Sequence, residues 1–323
     1  MPRTLRFAAS LLFIALAASA AAAYYAPAYL TRWGSMGSLP GQFQYPHGVG
    51  VSPVTGSVFV ADTGNHRVQV FSATGSFVAA WGVGGTGAGQ LQEPGDVAFD
   101  ATGNVYVVSD HRVQRFSPAG AYQIGWGGQG SGDGQFQYAM GVAVDGNGNV
   151  YVTDWMNYRV QKFTAAGVFL TRWGSQGSGP GQFASVTTVT CGPDGTVYVA
   201  DAGNNRVQVF SNDGQYLMSI GSGGAGDGQL NFPNSPKVDA DFVYVPDVGN
   251  DRIAVFRRDG SFVLNWGVNG QNPAQFFRPT SVALGTDASV FIADKDNHRI
   301  QKFAPVTTPT RRTTWGAVKA RFR

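Results

Sequence analysis

Cysteine, charge and long apolar runs are scarce in this sequence of 323 residues. The single cysteine, Cys191, excludes an intrachain disulfide and a cysteine-based zinc module, and its apolar strand pattern predicts a core residue. Charged residues make up 13% of the chain and Glu93 is the only glutamate, whereas 45 glycines and 16 prolines interrupt the sequence. This composition is typical of many short strands joined by tight turns, so an all-β fold is expected.

The two ends of the chain differ from the rest. Arg3 and Arg6 precede an apolar run and several small residues, so residues 1–23 are predicted to be a cleaved signal peptide. An uncleaved anchor is the alternative, disfavoured because the apolar run is shorter than the roughly 20 residues that span a bilayer. With no cysteine near the cleavage site to carry a lipid, we expect a periplasmic or secreted protein without a transmembrane segment.

Residues 305–323 form a basic C-terminal tail that begins with a Pro/Thr linker. The tail is interpreted as a sorting or envelope-anchoring segment, a short amphipathic helix or a disordered terminus. Without the seven cations of the signal and the tail, the formal net charge of +3 falls to about −4 for the body. Such a body lacks the basic surface that binds phosphate backbones, so nucleic acid is not expected as a partner.

A segment first seen from Asp62 to Phe71 recurs along the chain. Its arginines are spaced by 45 to 47 residues, which matches four short strands per unit and gives six units. In the third unit the strands are predicted at 141–145, 149–153, 159–163 and 168–173. The N-terminal piece 29–33 matches a fourth strand that lacks a third strand before it, and the sixth unit ends at Phe303. We therefore expect the N-terminal strand to complete the last unit and close the ring.

The motifs Gly141-Val-Ala-Val-Asp145, Val150-Tyr-Val-Thr-Asp154 and Asn157-Tyr-Arg-Val-Gln-Lys-Phe163 resemble those of the NHL repeat family. The resemblance covers nearly all of residues 29–303. It implies an all-β, six-bladed β-propeller of four-stranded antiparallel blades over residues 24–304. Members of this family range from amidating lyases to sensor domains and RNA-binding modules, so the fold leaves the function open.

The repeated Asp, Asn and Arg residues are interpreted as structural, because they recur at the same place in most units, where they can satisfy turn amides and pair with one another. They are Asp62, Asn65, Arg67, Arg112, Asp154, Asn157, Arg159, Asp201, Asn204, Arg206, Asp247, Asn250, Arg252, Asp294, Asn297 and Arg299.

Positions that break the repeat are better candidates for ligand binding, and the most variable one precedes the first strand of each unit. In a propeller these residues should ring one mouth of the central channel, which is the default binding site. With the neighbouring acidic residues, the channel-mouth candidates are His47, Glu93, Gly95, Asp96, Met140, Thr187, Asn234 and Thr280.

Metal ligands are sparse among these candidates. The segment Tyr45–Gly48 resembles a zinc-binding motif of the amidating lyases, but only His47 matches, and His66, His111 and His298 are expected at the rim instead. Glu93, with Asp96 and Asn234, can supply oxygen ligands for calcium, although a solvated turn residue is the simpler interpretation of Glu93. The sequence therefore predicts no resident cofactor, with zinc or calcium in the channel as the alternative.

The regular repeat and the few titratable residues at its variable positions argue against catalysis. We expect an extracytoplasmic binding scaffold that presents loops and a channel mouth to a protein, peptide or glycan. The alternative is a metal-dependent lyase or hydrolase of the amidating-lyase or lactonase type.

Overall fold

Six four-stranded antiparallel sheets form the part of the chain that the computed structural model describes, residues 25–307. Residues Ala26–Val306 make up one compact unit. The sheets are the blades of a six-bladed β-propeller, as the repeat predicts. The predicted signal peptide, residues 1–23, and most of the predicted tail lie outside the described residues.

Each blade contains four strands that run outward from the channel in chain order, except for the last blade. Blade 1 consists of β2 (Pro46–Val51), β3 (Val58–Asp62), β4 (Arg67–Phe71) and β5 (Phe77–Trp81). Blade 2 consists of β6 (Pro94–Phe99), β7 (Val105–Ser109), β8 (Arg112–Phe116) and β9 (Tyr122–Gly127). Blade 3 consists of β10 (Ala139–Val144), β11 (Val150–Asp154), β12 (Arg159–Phe163) and β13 (Phe169–Trp173).

Blade 4 consists of β14 (Val186–Cys191), β15 (Val197–Asp201), β16 (Arg206–Phe210) and β17 (Tyr216–Ile220). The crossover that follows it holds a short parallel pair, β18 (Ser222–Gly223) and β19 (Gln229–Leu230). Blade 5 consists of β20 (Lys237–Val238), β21 (Phe242–Asp247), β22 (Arg252–Arg257) and β23 (Phe262–Trp266). Blade 6 consists of β24 (Pro279–Leu284), β25 (Val290–Asp294), β26 (Arg299–Phe303) and, from the other end of the chain, β1 (Tyr29–Trp33).

The ring closes through strand β1, which pairs antiparallel with β26. Tyr29 lies opposite Phe303 and Trp33 lies opposite Ile300, and the Ala304 amide donates to the Ala28 carbonyl at 2.8 Å. The closure predicted from the sequence is therefore observed, and it pairs an edge that β26 would otherwise leave open.

Five blades carry a one-turn 3₁₀ helix between their second and third strands, and blade 2 does not. These helices are Thr63–Asn65, Trp155–Asn157, Ala202–Asn204, Val248–Asn250 and Lys295–Asn297. A buried aspartate ends the second strand of each of these blades and organises the turn. In blade 1, Asp62 accepts from Arg67 Nε at 2.8 Å, from Asn65 Nδ2 at 2.9 Å and from the Gln44 amide at 2.7 Å.

The core lies at the seams between neighbouring blades. Trp33 at the end of β1 packs on Phe71 of blade 1 and Phe291 of blade 6, with ring centroids 5.8 and 6.1 Å apart. Phe43 in the crossover is fully buried beside Phe71. Gly34 has φ +102°, and a Cβ there would lie 2.6 Å from the Phe43 ring, so the crossover needs glycine at this position.

Blade 5 departs most from the predicted strand pattern. Its innermost strand has two residues, because Pro236, directly before it, lacks the amide hydrogen that a longer ladder needs. The Asn234 amide still donates to the Pro246 carbonyl at 2.9 Å, so the segment before β20 stays bonded to β21. Among the described residues, no helix is long and apolar enough to cross a membrane.

Candidate functional site

The residues predicted to ring the channel mouth lie where the innermost strands begin. The pairing of each full-length innermost strand with its neighbour is irregular here, as between Pro46 and Val49 in β2 and between Ala139 and Val142 in β10. Such a bulge re-aims side chains at the edge of a sheet. Of the six predicted positions, His47, Thr187, Asn234 and Thr280 are buried.

The structure brings four of these residues from blades 1, 2, 5 and 6 together, and we call His47, Gly95, Asn234 and Thr280 the channel plug. His47 Nδ1 lies 3.0 Å from the Gly95 carbonyl oxygen and His47 Nε2 lies 3.4 Å from the Asn234 side-chain nitrogen. Thr280 Oγ1 donates to the His47 carbonyl at 2.9 Å. Met140 and Thr187 have no side-chain bond to His47 in the described structure.

The channel plug holds His47 in its neutral form. The pKa of His47 is lowered from 6.5 to about 4, mainly by burial and also by the nearby cations Lys295 and Arg278, which together outweigh the hydrogen bond to Gly95. With Nδ1–H donating to Gly95, Nε2 is left to accept from Asn234, so both ring nitrogens are engaged. As arranged, His47 therefore does not fit a zinc ion, and the described residues contain no group of three or more His, Cys, Asp or Glu placed to hold a metal.

Asp96 lies one residue further along β6 and bridges blades 2 and 3. Its carboxylate accepts from the Val97 amide at 2.9 Å and from the Val142 amide at 3.3 Å. Burial raises the pKa of Asp96 from 3.8 to about 7, and the two amide bonds and Lys237 offset only part of this effect. A Cβ on Gly48 would lie 2.6 Å from Asp96 Oδ1, so the glycine makes room for the carboxylate.

A cavity of about 200 Å³ fills the channel beyond Asp96, lined by residues of all six innermost strands. Lys237 of β20 also lines it and forms no ion pair with another described residue. Burial lowers the pKa of Lys237, while Cys191 and Asp96 act in the opposite direction. Sequence reasoning missed Lys237, although the same repeat position holds small residues in the other blades: Gly50, Ala98, Ala143, Thr190 and Ala283.

Four exposed residues surround the entrance to the channel plug, and we call Tyr45, Glu93, Phe232 and Arg278 the mouth ring. Each lies two residues before a plug residue and has a left-handed backbone, with φ of 54°, 49°, 53° and 53° respectively. Tyr45 is 44% exposed and Phe232 is 40% exposed. The mouth ring thus presents two aromatic rings, one acid and one base at equivalent places.

The backbone amide of each mouth-ring residue donates a hydrogen bond to a side chain of the preceding blade. The Tyr45 amide donates to His298 Nδ1 and the Glu93 amide donates to His66 Nδ1, both at 3.1 Å. In the same way Asn205 Oδ1 accepts from the Phe232 amide at 2.8 Å, and Asp251 Oδ1 accepts from the Arg278 amide at 2.7 Å. His66 and His298 therefore lie at the rim, where they orient the mouth ring.

The face around the mouth ring carries charges of both signs. Arg278 and Lys295 lie near His47, since both lower its pKa, and Asp296 lies 3.6 Å from Arg278. Glu93 and Asp110 lie on the side of Tyr138, whose pKa is raised first by burial and then by these two acids. Phe277 and Met156 add exposed apolar surface to the same face.

Six blades of four antiparallel strands around a channel define a six-bladed β-propeller. The NHL repeat family matches residues 43–71, 136–163, 183–210 and 276–303, which belong to blades 1, 3, 4 and 6. The chain is therefore a six-bladed propeller that contains NHL repeats.

Both sequence and structure comparisons find similar proteins. The protein brain tumor of Drosophila melanogaster is 40% identical over 70 residues, which are 22% of this chain and 7% of that protein. This chain thus spans a small part of that relative. An auxiliary nutrient binding protein from Bacteroides ovatus has a TM-score of 0.65 at 18% identity, covering 88% of this chain and 78% of that one. A streptogramin B lyase has a TM-score of 0.58 at 16% identity, covering 84% and 96%.

Proposed function

We propose that this protein is an extracytoplasmic binding scaffold that holds a protein or peptide partner on the mouth ring and the surface around it. The observation that carries the proposal is the left-handed backbone at Tyr45, Glu93, Phe232 and Arg278. For residues other than glycine this conformation costs of order 1–3 kcal/mol each, and such strain clusters at functional sites. Glycine would relieve the strain, as at Gly34, whereas five of the other non-glycine residues with positive φ cap the 3₁₀ helices of the repeat.

The chemistry of the mouth ring favours a protein or peptide partner. Tryptophan, tyrosine and arginine contribute most of the binding energy at protein interfaces, and the mouth ring contains Tyr45 and Arg278. Phe232 and Phe277, the residue before Arg278, add exposed aromatic surface, and Glu93 supplies a charge opposite to that of Arg278. Mixed charge around exposed rings suits a polypeptide surface better than a uniformly charged polymer.

The extracytoplasmic location rests on the pattern of residues 1–23 and on the likeness of the fold to nutrient binding proteins of Bacteroides. Mass spectrometry of the mature N-terminus tests it. A protein that starts near residue 24 supports export, whereas a retained Met1 in a cytoplasmic fraction contradicts it.

Strain and binding can be separated by replacing all four mouth-ring residues with glycine. We expect this variant to unfold at a higher temperature than the wild type, because the strain is relieved, and to lose partner binding. The matched control is Ala288→Gly, which removes a left-handed alanine (φ 60°) from the turn between β24 and β25. A glycine variant that is less stable than the wild type contradicts the strain argument.

Partner binding is measured by placing a photo-crosslinking amino acid at Tyr45 or Phe232, and at Ala288 for comparison, in the native host. We expect protein adducts of defined mass from the two mouth-ring positions and not from Ala288. Equal adducts at all three positions, or none, contradict the proposal. Binding to a glycan array that the four-glycine variant loses would assign the face to a glycan instead.

Catalysis in the channel is the second candidate, favoured by Asp96 and Lys237 in one cavity with pKa values shifted toward neutrality. The metal-dependent form of this candidate is tested by the metal content of the mature protein purified without chelators. Near-stoichiometric zinc or calcium that disappears on substitution of His47 or Glu93 would favour the metal-dependent lyase or hydrolase.

A further inference from the structure

The channel cavity beyond Asp96 is lined by one cation and one carboxylate that do not bind each other. Lys237 of blade 5 and Asp96 of blade 2 are the charged side chains among its described lining residues. The six blades follow one another around the ring in chain order, so blades 2 and 5 lie on opposite sides of the channel. Lys237 and Asp96 form no ion pair with each other. The two charges therefore face the cavity from opposite walls.

Lys237 lacks a partner within the part of the chain that the structure describes. The other blades have glycine, alanine or threonine at this repeat position, so the packing of the blades does not require a long side chain here. Lys237 donates no hydrogen bond to another described residue. Burial lowers its pKa, while Cys191 and Asp96 oppose this effect, which places its ammonium group in the channel near both. A buried ammonium group is costly unless an acceptor contacts it.

Asp96 can accept a further hydrogen bond. Its Oδ1 accepts from the Val97 amide at 2.9 Å and its Oδ2 accepts from the Val142 amide at 3.3 Å. A carboxylate offers about four acceptor positions, so about two remain. A cationic group in the cavity can therefore bind Asp96 without displacing either amide.

The rest of the cavity wall supplies backbone polar groups and a small apolar surface. Each innermost strand is the edge strand of its sheet, so the N–H and C=O groups along that edge face the channel. Val142, Ala143 and Ala283 are among the apolar lining residues. Since an apolar cavity of about 150 Å³ binds benzene, the volume of about 200 Å³ admits a ligand of about six to eight non-hydrogen atoms.

We propose that this cavity binds a small neutral α-amino acid, with Lys237 contacting its carboxylate and Asp96 contacting its ammonium group. Such a zwitterion matches a cation and a carboxylate on opposite walls, whereas a simple anion or cation would meet one charge of its own sign. The apolar part of the wall suits a side chain as small as that of alanine. The channel plug lies between this site and the mouth ring, so the proposal does not depend on the partner proposed there.

Three probes with the same carbon skeleton test the two charges separately: L-alanine, propionate, which lacks the ammonium group, and alaninamide, which lacks the carboxylate. Their binding to the full chain is followed by ligand-observed NMR. We expect alanine to bind and both analogues to bind at least tenfold more weakly. Lys237→Ala, which installs the residue of blades 2, 3 and 6, should weaken alanine binding at least tenfold. The matched control is Lys162→Ala, which removes a cation that does not line the cavity and should leave binding unchanged.

Asp96→Asn gives a second readout of opposite sign for two of the probes. It removes the partner of a ligand ammonium group and the charge that repels a ligand carboxylate, so alanine should bind more weakly and propionate more tightly than to the wild type. No binding of alanine, equal binding of the three probes, alanine binding that survives Lys237→Ala, or weaker binding of propionate by Asp96→Asn would each overturn the proposal. The comparison of probes on the wild type decides the question even if a variant does not fold.

Discussion

Two buried groups at the channel give this protein opposing pH dependences of stability, and single substitutions should separate them. The pKa of Asp96 is raised from 3.8 to about 7. The folded protein therefore keeps a proton that the unfolded chain releases between these values. The stability that Asp96 contributes is fully present below pH 3.8 and is lost as the pH rises to about 7. At about 1.4 kcal/mol per pH unit, the loss is about 4 kcal/mol.

His47 acts in the opposite direction. Its pKa is lowered from 6.5 to about 4, so the unfolded chain takes up a proton that the folded protein does not. The stability that His47 contributes is present above pH 6.5 and is lost as the pH falls toward 4, by about 3 kcal/mol. Between pH 4 and 6.5 the two contributions offset each other in the wild-type protein.

The assay is urea unfolding of the wild type, Asp96→Asn and His47→Gln at several pH values from 4.5 to 7.5. Differences from the wild type cancel the other titrating groups. As the pH rises, the stability of Asp96→Asn should increase relative to that of the wild type. As the pH rises from 4.5 to 6.5, the stability of His47→Gln should decrease relative to that of the wild type. Difference curves that are flat, or that slope in the same direction, would refute the assignment of these two pKa shifts.

Two further predictions concern the repeat itself. Asp154→Ala leaves Arg159, Asn157 and the Gln137 amide without their acceptor, and removing one partner of a buried pair costs about 3–5 kcal/mol. Ser109→Ala, at the same place in blade 2, should cost less than about 1 kcal/mol because Ser109 Oγ has no partner, so equal losses in thermal unfolding would contradict this account. Deleting residues 24–34 removes β1 and should lower the unfolding temperature and expose β26 to proteolysis, whereas an unchanged melting curve would exclude a structural role for the closure.

The fold could be predicted from the sequence because the same pattern of four strands occurs in six consecutive units. Arginine spacing gave the number of blades, and the unmatched strand at Tyr29–Trp33 gave the closure. Strand bounds differ by one or two residues, as in β10, which begins at Ala139. The short strand β20 was not predicted from the sequence. Proline shortens a strand only where its missing amide would have bonded to the neighbouring strand, and the position of Pro236 relative to that neighbour is known only from the structure.

The candidate site was predictable only in part. The repeat alignment brought His47, Asn234 and Thr280 to one place, but their mutual hydrogen bonds depend on the width of the channel. Lys237 was not predicted, because it lies three residues after the variable position, at a place where the other blades have small residues. The left-handed backbone at Tyr45 and Phe232 leaves no mark in the sequence, since residues of these types usually avoid it.

The pairing of β1 with β26 also sets the order in which the chain can fold. These strands lie at opposite ends of the described chain, and loop-closure scaling puts the entropic cost of joining such distant residues at about 5 kcal/mol. Blades 1 to 5 are hairpin-connected and can form as they emerge, which brings the two ends together and lowers that cost. We therefore expect blade 6 to be completed last, since β1 cannot pair until β26 has been synthesised.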